Sequence, residues 1–325
     1  MPNQLNVFDL VEGFQLAHVV AALHNLQIFT ALKKPATADD LSEAYGLDAR
    51  LLSGMLEYVA ARTDLLRRSG KRFVATRSYS DESRFFLDLY AGAYGGNAAK
   101  LGELLRDPSL APDAVDRARH AQAFENADRS TLGMLPELIR RLGLNRLLDL
   151  GCGNGALLIE LARQDPGFTG WGLDLNRAMC RAARAGIRAA GLGKRVRVLE
   201  GDCTDLVPVL PTSVSAQVGA VTACNVANEL FAGGDSRAVN WLRGLRGALA
   251  GRPLLIADYY GRLGRKKERL DRKTLLHDFA QLISGQGVPP ASAAEWRSIY
   301  SRAGCRLVHI IEDKTTTRFI HILRL

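Results

Sequence analysis

The chain has 325 residues, 47% of them apolar, and a formal charge of +9. That length and mixture exclude a disordered chain and leave room for two domains. No apolar run is expected to reach a membrane span, and the start lacks the basic-then-apolar pattern of a secretory signal. Five cysteines without a C-x-x-C pair fit reduced thiols, so the expected compartment is cytoplasmic, with no membrane partner.

Residues 5–32 read as helical. Their apolar residues (Leu5, Phe8, Leu10, Phe14, Leu16, Val19, Val20, Leu23) fall on more than one face, as at a homodimer interface. Thr37-Ala38-Asp39-Asp40-Leu41 is a cap and helix start. The turn Tyr45-Gly46-Leu47-Asp48 leads to a second helix through Ala61. Short strands Leu65–Arg68 and Arg72–Thr76 follow around Ser69-Gly70. This is the order of a winged helix-turn-helix, which alone would point to a DNA-binding regulator. The recognition-helix position, Arg50 to Val59, carries one base, one acid and mostly apolar side chains. A groove-reading helix needs Arg, Lys, Asn or Gln aimed at bases and phosphates, so packing against protein is predicted instead.

The second half opens on Leu147-Leu148-Asp149-Leu150-Gly151-Cys152-Gly153-Asn154-Gly155. An apolar run ending in an acid and three glycines at alternate positions reads as a buried strand turning into a helix. Glycine lets the backbone turn tightly and a ligand approach, and the helix start favours a polar ligand group. Two adenosine cofactors compete. Gly151, Gly153 and Ala156 satisfy the dinucleotide pattern, with Asp174 downstream for the ribose. Yet Asp149 would repel a pyrophosphate, whereas it favours the sulfonium and ammonium of S-adenosylmethionine. Acids after three successive strands (Asp149, Asp174, Asp202) fit that cation better than NAD.

Downstream, a helix from Asn154 to Gln164 precedes strand Thr169–Asp174, and a helix from Arg177 to Gly191 precedes strand Arg195–Glu200. Strand Gln217–Val226, helix Ser236–Ala250, strand Pro253–Tyr260 and a helix near Lys273–Ser284 follow. Strands Arg306–Glu312 and Arg318–Leu325 close the chain. The alternation predicts an α/β, doubly wound parallel sheet with an antiparallel final strand. Domains are expected at 1–110 (helical, winged-helix), 111–145 (linker helices) and 146–325 (cofactor-binding). Much of the positive charge lies in Arg262 to Arg269 with Arg272 and Lys273. A solvated loop is the plain reading and a rim attracting an anionic acceptor the functional one. Without interleaved aromatics, nucleic acid is not expected as a partner.

On the LLDLGCGNG loop, the Gly172–Asn176 segment GLDLN and the Glu200–Cys203 segment EGDC, the chain resembles the class I methyltransferases. It is most similar to the small-molecule O-methyltransferase family of caffeic-acid, hydroxyindole and antibiotic-tailoring type. The resemblance implies a Rossmann-like sheet, a winged-helix dimerisation domain that closes over the substrate, and S-adenosylmethionine as cofactor. It implies a cofactor site of Asp149, Gly151, Cys152, Gly153, Asp174, Leu175, Gly201, Asp202, Cys203, Cys224 and Asn225. Phenol-methylating relatives place a His-Asp pair after the fourth strand, with the histidine as general base. Here Asn228 and Glu229 stand at that position. Glu229 can take a proton if burial raises its pKa, whereas Asn228 cannot and either bonds the loop or meets the acceptor.

His277, with Gln281 and Ser284 at i, i+4 and i+7, forms a polar stripe that faces solvent or lines the acceptor pocket. Its ordinary pKa suits a base. Catalytic candidates are therefore Glu229, His277 and Asn228. Acceptor contacts are expected from Phe124, Asn228, Tyr259, Asp278 and Gln281. A metal held by His277, Asp278 and Glu229 is an alternative without a dense ligand motif to support it, so no metal is expected. The expected reaction is in-line methyl transfer to a small-molecule heteroatom, oxygen by family habit, with sulfur, nitrogen or carbon as alternatives. A non-methylating cofactor binder and a winged-helix regulator are the readings from other classes.

Overall fold

Helices begin where a side chain can satisfy the first free amides. In a computed structural model that describes residues 5–126, 133–264, 272–313 and 316–325, Asn6 and Asp9 exchange bonds of 3.0 Å in a capping box that starts α1 (Val7–Asn25). Gln27, at φ +61°, then breaks the expected helical stretch and starts α2 (Ile28–Ala31). The chain forms two compact units, one of residues 1–95 with 122–128, the other of 96–121 with 129–325.

The first unit continues with β1 (Ala36–Thr37), α3 (Ala38–Tyr45), α4 (Ala49–Arg62), β2 (Leu66–Ser69) and β3 (Arg72–Ala75). Its strands pair antiparallel in the order β1-β3-β2. Leu23, Ile28, Phe29, Leu32, Leu56 and Val59 are fully buried between them. Next come α5 (Asp81–Phe86) and a π-helical segment, Leu87–Ala93, whose Asp88 is buried. His24 bridges the Tyr79 hydroxyl (2.6 Å) and Asp88 (3.0 Å).

α1 corrects one expectation. With Asp9 and Glu12 as its only charged side chains apart from two histidines, the helix is long and apolar enough to cross a membrane by length and composition alone. Short polar interruptions hide this in the sequence. Its later turns bury Val20, Leu23 and His24 in the first unit. Its first turns leave Val7, Phe8, Leu10, Val11 and Phe14 55–76% exposed.

The second unit takes up most of short α6 (Gly95–Ala99), then α7 (Leu101–Leu104), the start of α8 (Arg117–Asn126) and α9 (Leu135–Arg141). Strands and helices then alternate: β4 (Arg146–Leu150), α10 (Ala156–Gln164), β5 (Thr169–Asp174), α11 (Arg177–Ala189), β6 (Val196–Glu200), α12 (Thr212–Ser215), β7 (Ala220–Cys224), α13 (Ser236–Ala248) and β8 (Pro253–Tyr259). α14 (Arg272–Ile283), α15 (Ala293–Arg302), β9 (Arg306–Glu312) and β10 (Arg318–Arg324) complete it.

The seven strands run in the order β6-β5-β4-β7-β8-β10-β9, parallel except that β10 is antiparallel to both neighbours. Leu148, Leu150, Val221 and Ile256 pack against α13 and α15 on one face, and Leu147, Ala220 and Leu255 against α9, α10 and α11 on the other. Covering both faces buries β4 almost entirely. This α/β, Rossmann-like sheet is the expected one, with strand ends trimmed. α15 was not expected; Ser292 caps it, and it buries Trp296, Ile299 and Tyr300.

The chain after α14 returns across the loop following β7, where the Phe231 amide donates to the Gln286 carbonyl at 3.0 Å. Gly287, at φ +82°, makes this approach possible, because a Cβ there would overlap the Phe231 carbonyl group. Gly287→Ala is expected to lower the unfolding free energy by about 2–4 kcal/mol, measured by denaturant titration; an unchanged midpoint would contradict this packing.

Candidate functional site

Parallel strands that end on one edge bring their following loops together. The sheet order places, side by side, the loops after β6, β5, β4, β7 and β8. Those loops carry most of the residues expected to bind ligands.

Gly151, at φ +62°, lies so close to Val226 that any Cβ would overlap its methyl group. The loops after β4 and β7 are therefore in contact through a glycine. Asp149 is 3% exposed and accepts from the Thr222 hydroxyl of β7 at 2.7 Å. Burial pushes its pKa up to about 7 despite that bond, with neighbouring Asp174 adding to the rise. Asp174 accepts from the amides of Gly153 and Asn176, each at 2.8 Å, and burial raises its pKa too. It thus pins the glycine loop to the end of β5. Leu175 beside it is 68% exposed.

In the next loop the Gly201 amide donates to the Asp174 carbonyl (3.0 Å). Asp202 caps its own turn through Thr204, 2.7 Å to both amide and hydroxyl. The Cys203 carbonyl accepts from Trp241 at 3.0 Å. Cys152 is buried against Gly172. Asn225 adopts φ +53°, and its side-chain oxygen accepts from Arg318 at 2.6 Å. That bond turns the oxygen of this expected cofactor contact to a partner on β10.

Beyond β7 a short 3-10 turn, Ala227–Leu230, presents Asn228 and Glu229. The Asn228 amide donates to Asp258 at 3.0 Å, and its side-chain oxygen is buried without a protein partner among the described residues. Burial lifts Glu229 to a pKa of about 7, partly offset by Arg117 and Arg237, with Asp174 adding to the rise. Asp258, at the end of β8, is 1% exposed and also accepts from the Tyr259 amide (2.9 Å). Its pKa is raised to about 7, again by burial first. The sequence reading missed Asp258, although an acid at the end of a buried strand is the signal that marked Asp149 and Asp174.

α14 delivers the remaining candidates. The His277 ring meets the Tyr259 ring edge-on at 5.1 Å, and its Nε2 accepts from the Gln281 side chain at 3.3 Å. Burial drives its pKa down to about 4, helped by Arg318 and His120. His120, on α8, is itself lowered to about 4 by burial. Asp278, fully buried, accepts from the amides of Arg262 and Leu263 at 2.6 and 2.8 Å. It therefore acts as a loop anchor, while its second oxygen and the Gln281 oxygen are buried without protein partners among the described residues. Ser284, the third member of the expected stripe, is buried.

Phe124 belongs to the first unit, where it packs edge-on against Phe85 (5.6 Å). Among the described residues no three His, Cys, Asp or Glu side chains gather as metal ligands. Of the basic cluster, Arg265, Lys266, Lys267 and Arg269 lie outside the described residues.

A family model described as "Methyltransferase domain" matches residues 147–241. The 4-amino-L-phenylalanine/4-methylamino-L-phenylalanine methyltransferase of Streptomyces pristinaespiralis is 34% identical over 95 residues, 29% of this chain and 31% of that protein. The chain spans between 15% and 31% of the length of the curated relatives it matches. The mitomycin 7-O-methyltransferase MmcR superposes with a TM-score of 0.78 at 20% identity, covering 98% of this chain and 96% of that one. Human N-acetylserotonin methyltransferase in complex with S-adenosylmethionine gives 0.73 at 18%, covering 100% and 99%. The chain thus carries a methyltransferase domain within the class I methyltransferase fold.

No thiol here is poised as a nucleophile. Burial raises Cys203 and Cys224 to about 12 and lifts Cys152, Cys180 and Cys305 above their ordinary value. Iodoacetamide at pH 8 should label the native chain at least about tenfold more slowly than the unfolded one. One fast-reacting thiol would contradict this.

Proposed function

We propose that this chain is an S-adenosylmethionine-dependent methyltransferase acting on a heteroatom of a small molecule, oxygen being the atom named for the mitomycin enzyme. The observation that carries this reading is Asp149, a carboxylate buried beside a glycine loop, whose pKa no cation among the described residues is seen to lower. When bound, S-adenosylmethionine supplies an electrophilic methyl group on a cationic sulfur. Asp149 and the Gly151–Gly153 loop would hold its methionine end, Asp174 its ribose, and Asp202 with Cys203 its adenine. The charge fits: a cationic ligand satisfies Asp149 where a pyrophosphate would be repelled.

Positioning is the larger part of the rate. Alignment of two bound reactants supplies about 7–11 kcal/mol, and a general base about 10²–10⁴-fold. Glu229, with a pKa of about 7, receives the released proton at neutral pH. His277, at about 4, instead orients the acceptor with Tyr259 and Gln281.

The first unit supports a winged-helix reading through its α3, α4, β2 and β3 order, and a homodimer through the exposed apolar turns of α1. We propose domains at 1–110, 111–145 and 146–325, a cytoplasmic site of action, and a small-molecule partner with neither nucleic acid nor membrane.

Two results are expected. Asp149 must ionise to receive a cation, so affinity for S-adenosylmethionine rises as pH climbs through about 7 and is about tenfold weaker at pH 6 than at its plateau. Calorimetry across that range checks this, and absence of binding would remove the proposal. Glu229→Gln should lower turnover by about 10²-fold and His277→Ala by less, with cofactor affinity nearly intact. Unchanged turnover of a labelled methyl acceptor in both variants would refute the assignment.

A further inference from the structure

Among the described residues, three buried acceptor oxygens near the ends of β7 and β8 have no protein partner. They are the side-chain oxygen of Asn228, that of Gln281 and one oxygen of Asp278. Each belongs to a side chain at most 2% exposed. Asn228 and Gln281 lie along one contact path, and Asp278 shares the helix of Gln281. Asn228 donates its amide to Asp258, Asp258 accepts from Tyr259, Tyr259 meets His277, and His277 accepts from Gln281. An unmet buried acceptor is costly, so a ligand that fits here brings hydrogen-bond donors. Beside these oxygens stand the carboxyls of Glu229 and Asp258.

We infer that the methyl acceptor is the neutral amine of an aromatic compound, its N–H groups donating to Asn228 and its neighbours. This rests on the S-adenosylmethionine reading above and names the acceptor class for that site.

Three considerations favour nitrogen over a phenol oxygen. A phenol must become an anion before it attacks, and an anion is opposed by the surrounding carboxyls. With Asn228 at the family's histidine position, proton removal falls to Glu229, itself an acid among other buried acids. An arylamine, by contrast, carries a free electron pair at neutral pH without prior deprotonation. Its nitrogen gains positive charge in the transition state, which Glu229 and Asp258 stabilise. An aliphatic amine is excluded by the same logic, because it is protonated near neutrality and Glu229 is too weak a base to strip it. The step balances: the nitrogen pair forms the N–C bond, the methyl–sulfur bond breaks with its pair remaining on sulfur, and one N–H proton of the resulting ammonium passes to the Glu229 carboxylate.

The test uses aromatic pairs that differ only in –NH2 against –OH: 5-aminoindole and 5-hydroxyindole, 3-aminobenzoate and 3-hydroxybenzoate, 6-aminoquinoline and 6-hydroxyquinoline. Transfer from methyl-labelled S-adenosylmethionine to the full chain is measured, together with calorimetric binding of each compound to the chain loaded with S-adenosylhomocysteine. At least about tenfold preference for amine members in both measurements is expected, with Asn228→Leu removing the preference and Asn228→His raising transfer to hydroxyl members. Equal or greater transfer to hydroxyl members, or none to either set while the cofactor binds, overturns the amine assignment alone. Failure to bind the cofactor overturns the underlying reading together with it.

Discussion

Taking carboxylates out of water with too little positive charge nearby to offset the burial is the constraint on which the second unit depends. Three of them, Asp149, Glu229 and Asp258, have pKa values pushed to about 7 by burial, and Asp174 is raised as well. A carboxylate at a strand end normally escapes to solvent. Here helices on both faces of a parallel sheet close off that route, and the protein's replies are local. Thr222 donates to Asp149, two backbone amides serve Asp174, and two more serve Asp258. These bonds lower each acid's pKa but do not cancel the burial. The remaining imbalance is a standing preference for positive charge, which a cationic methyl donor satisfies.

The histidines show the opposite response to burial. His321 is fully buried between the Tyr300 hydroxyl (2.8 Å) and the Tyr260 hydroxyl (3.0 Å), with Tyr260 donating onward to Glu312 (2.6 Å). Its pKa falls to about 3, so it is a neutral element of the core that links β8, β10 and α15. His277 is likewise held neutral. Burial thus lowers the pKa of the histidine and raises that of Glu229, one desolvation effect acting on groups of opposite charge.

What the sequence discloses depends on how local the cause is. The glycine loop and the acids at the ends of β4, β5 and β6 are legible because short motifs mark them: Gly151 by its left-handed turn, Asp174 by an amide two residues ahead, although the Thr222 hydroxyl that serves Asp149 lies far along the chain. The strand alternation is equally local, so the sheet and its antiparallel end were readable. Asp258 was passed over although it too stands at the end of a buried strand; its bond from the Asn228 amide, thirty residues away, is not visible in the sequence. Asp278 was expected as an acceptor contact; that the amides of Arg262 and Leu263 hold one of its oxygens is not visible in the sequence. α15 went unread because its apolar face shows only against the sheet. The break at Gln27 and the membrane-compatible composition of α1 depend on a backbone angle and on an average over nineteen residues.

Asn228 and Glu229 sit side by side on the turn after β7. Replacing a base by an amide removes a proton acceptor but keeps a hydrogen-bond acceptor, and the amide oxygen sits next to a carboxyl able to hold a proton at neutral pH. On the amine proposal, recognition and proton removal fall to two adjacent side chains. Such a division suits a nucleophile that attacks while still protonated and releases its proton only after the bond to carbon has formed.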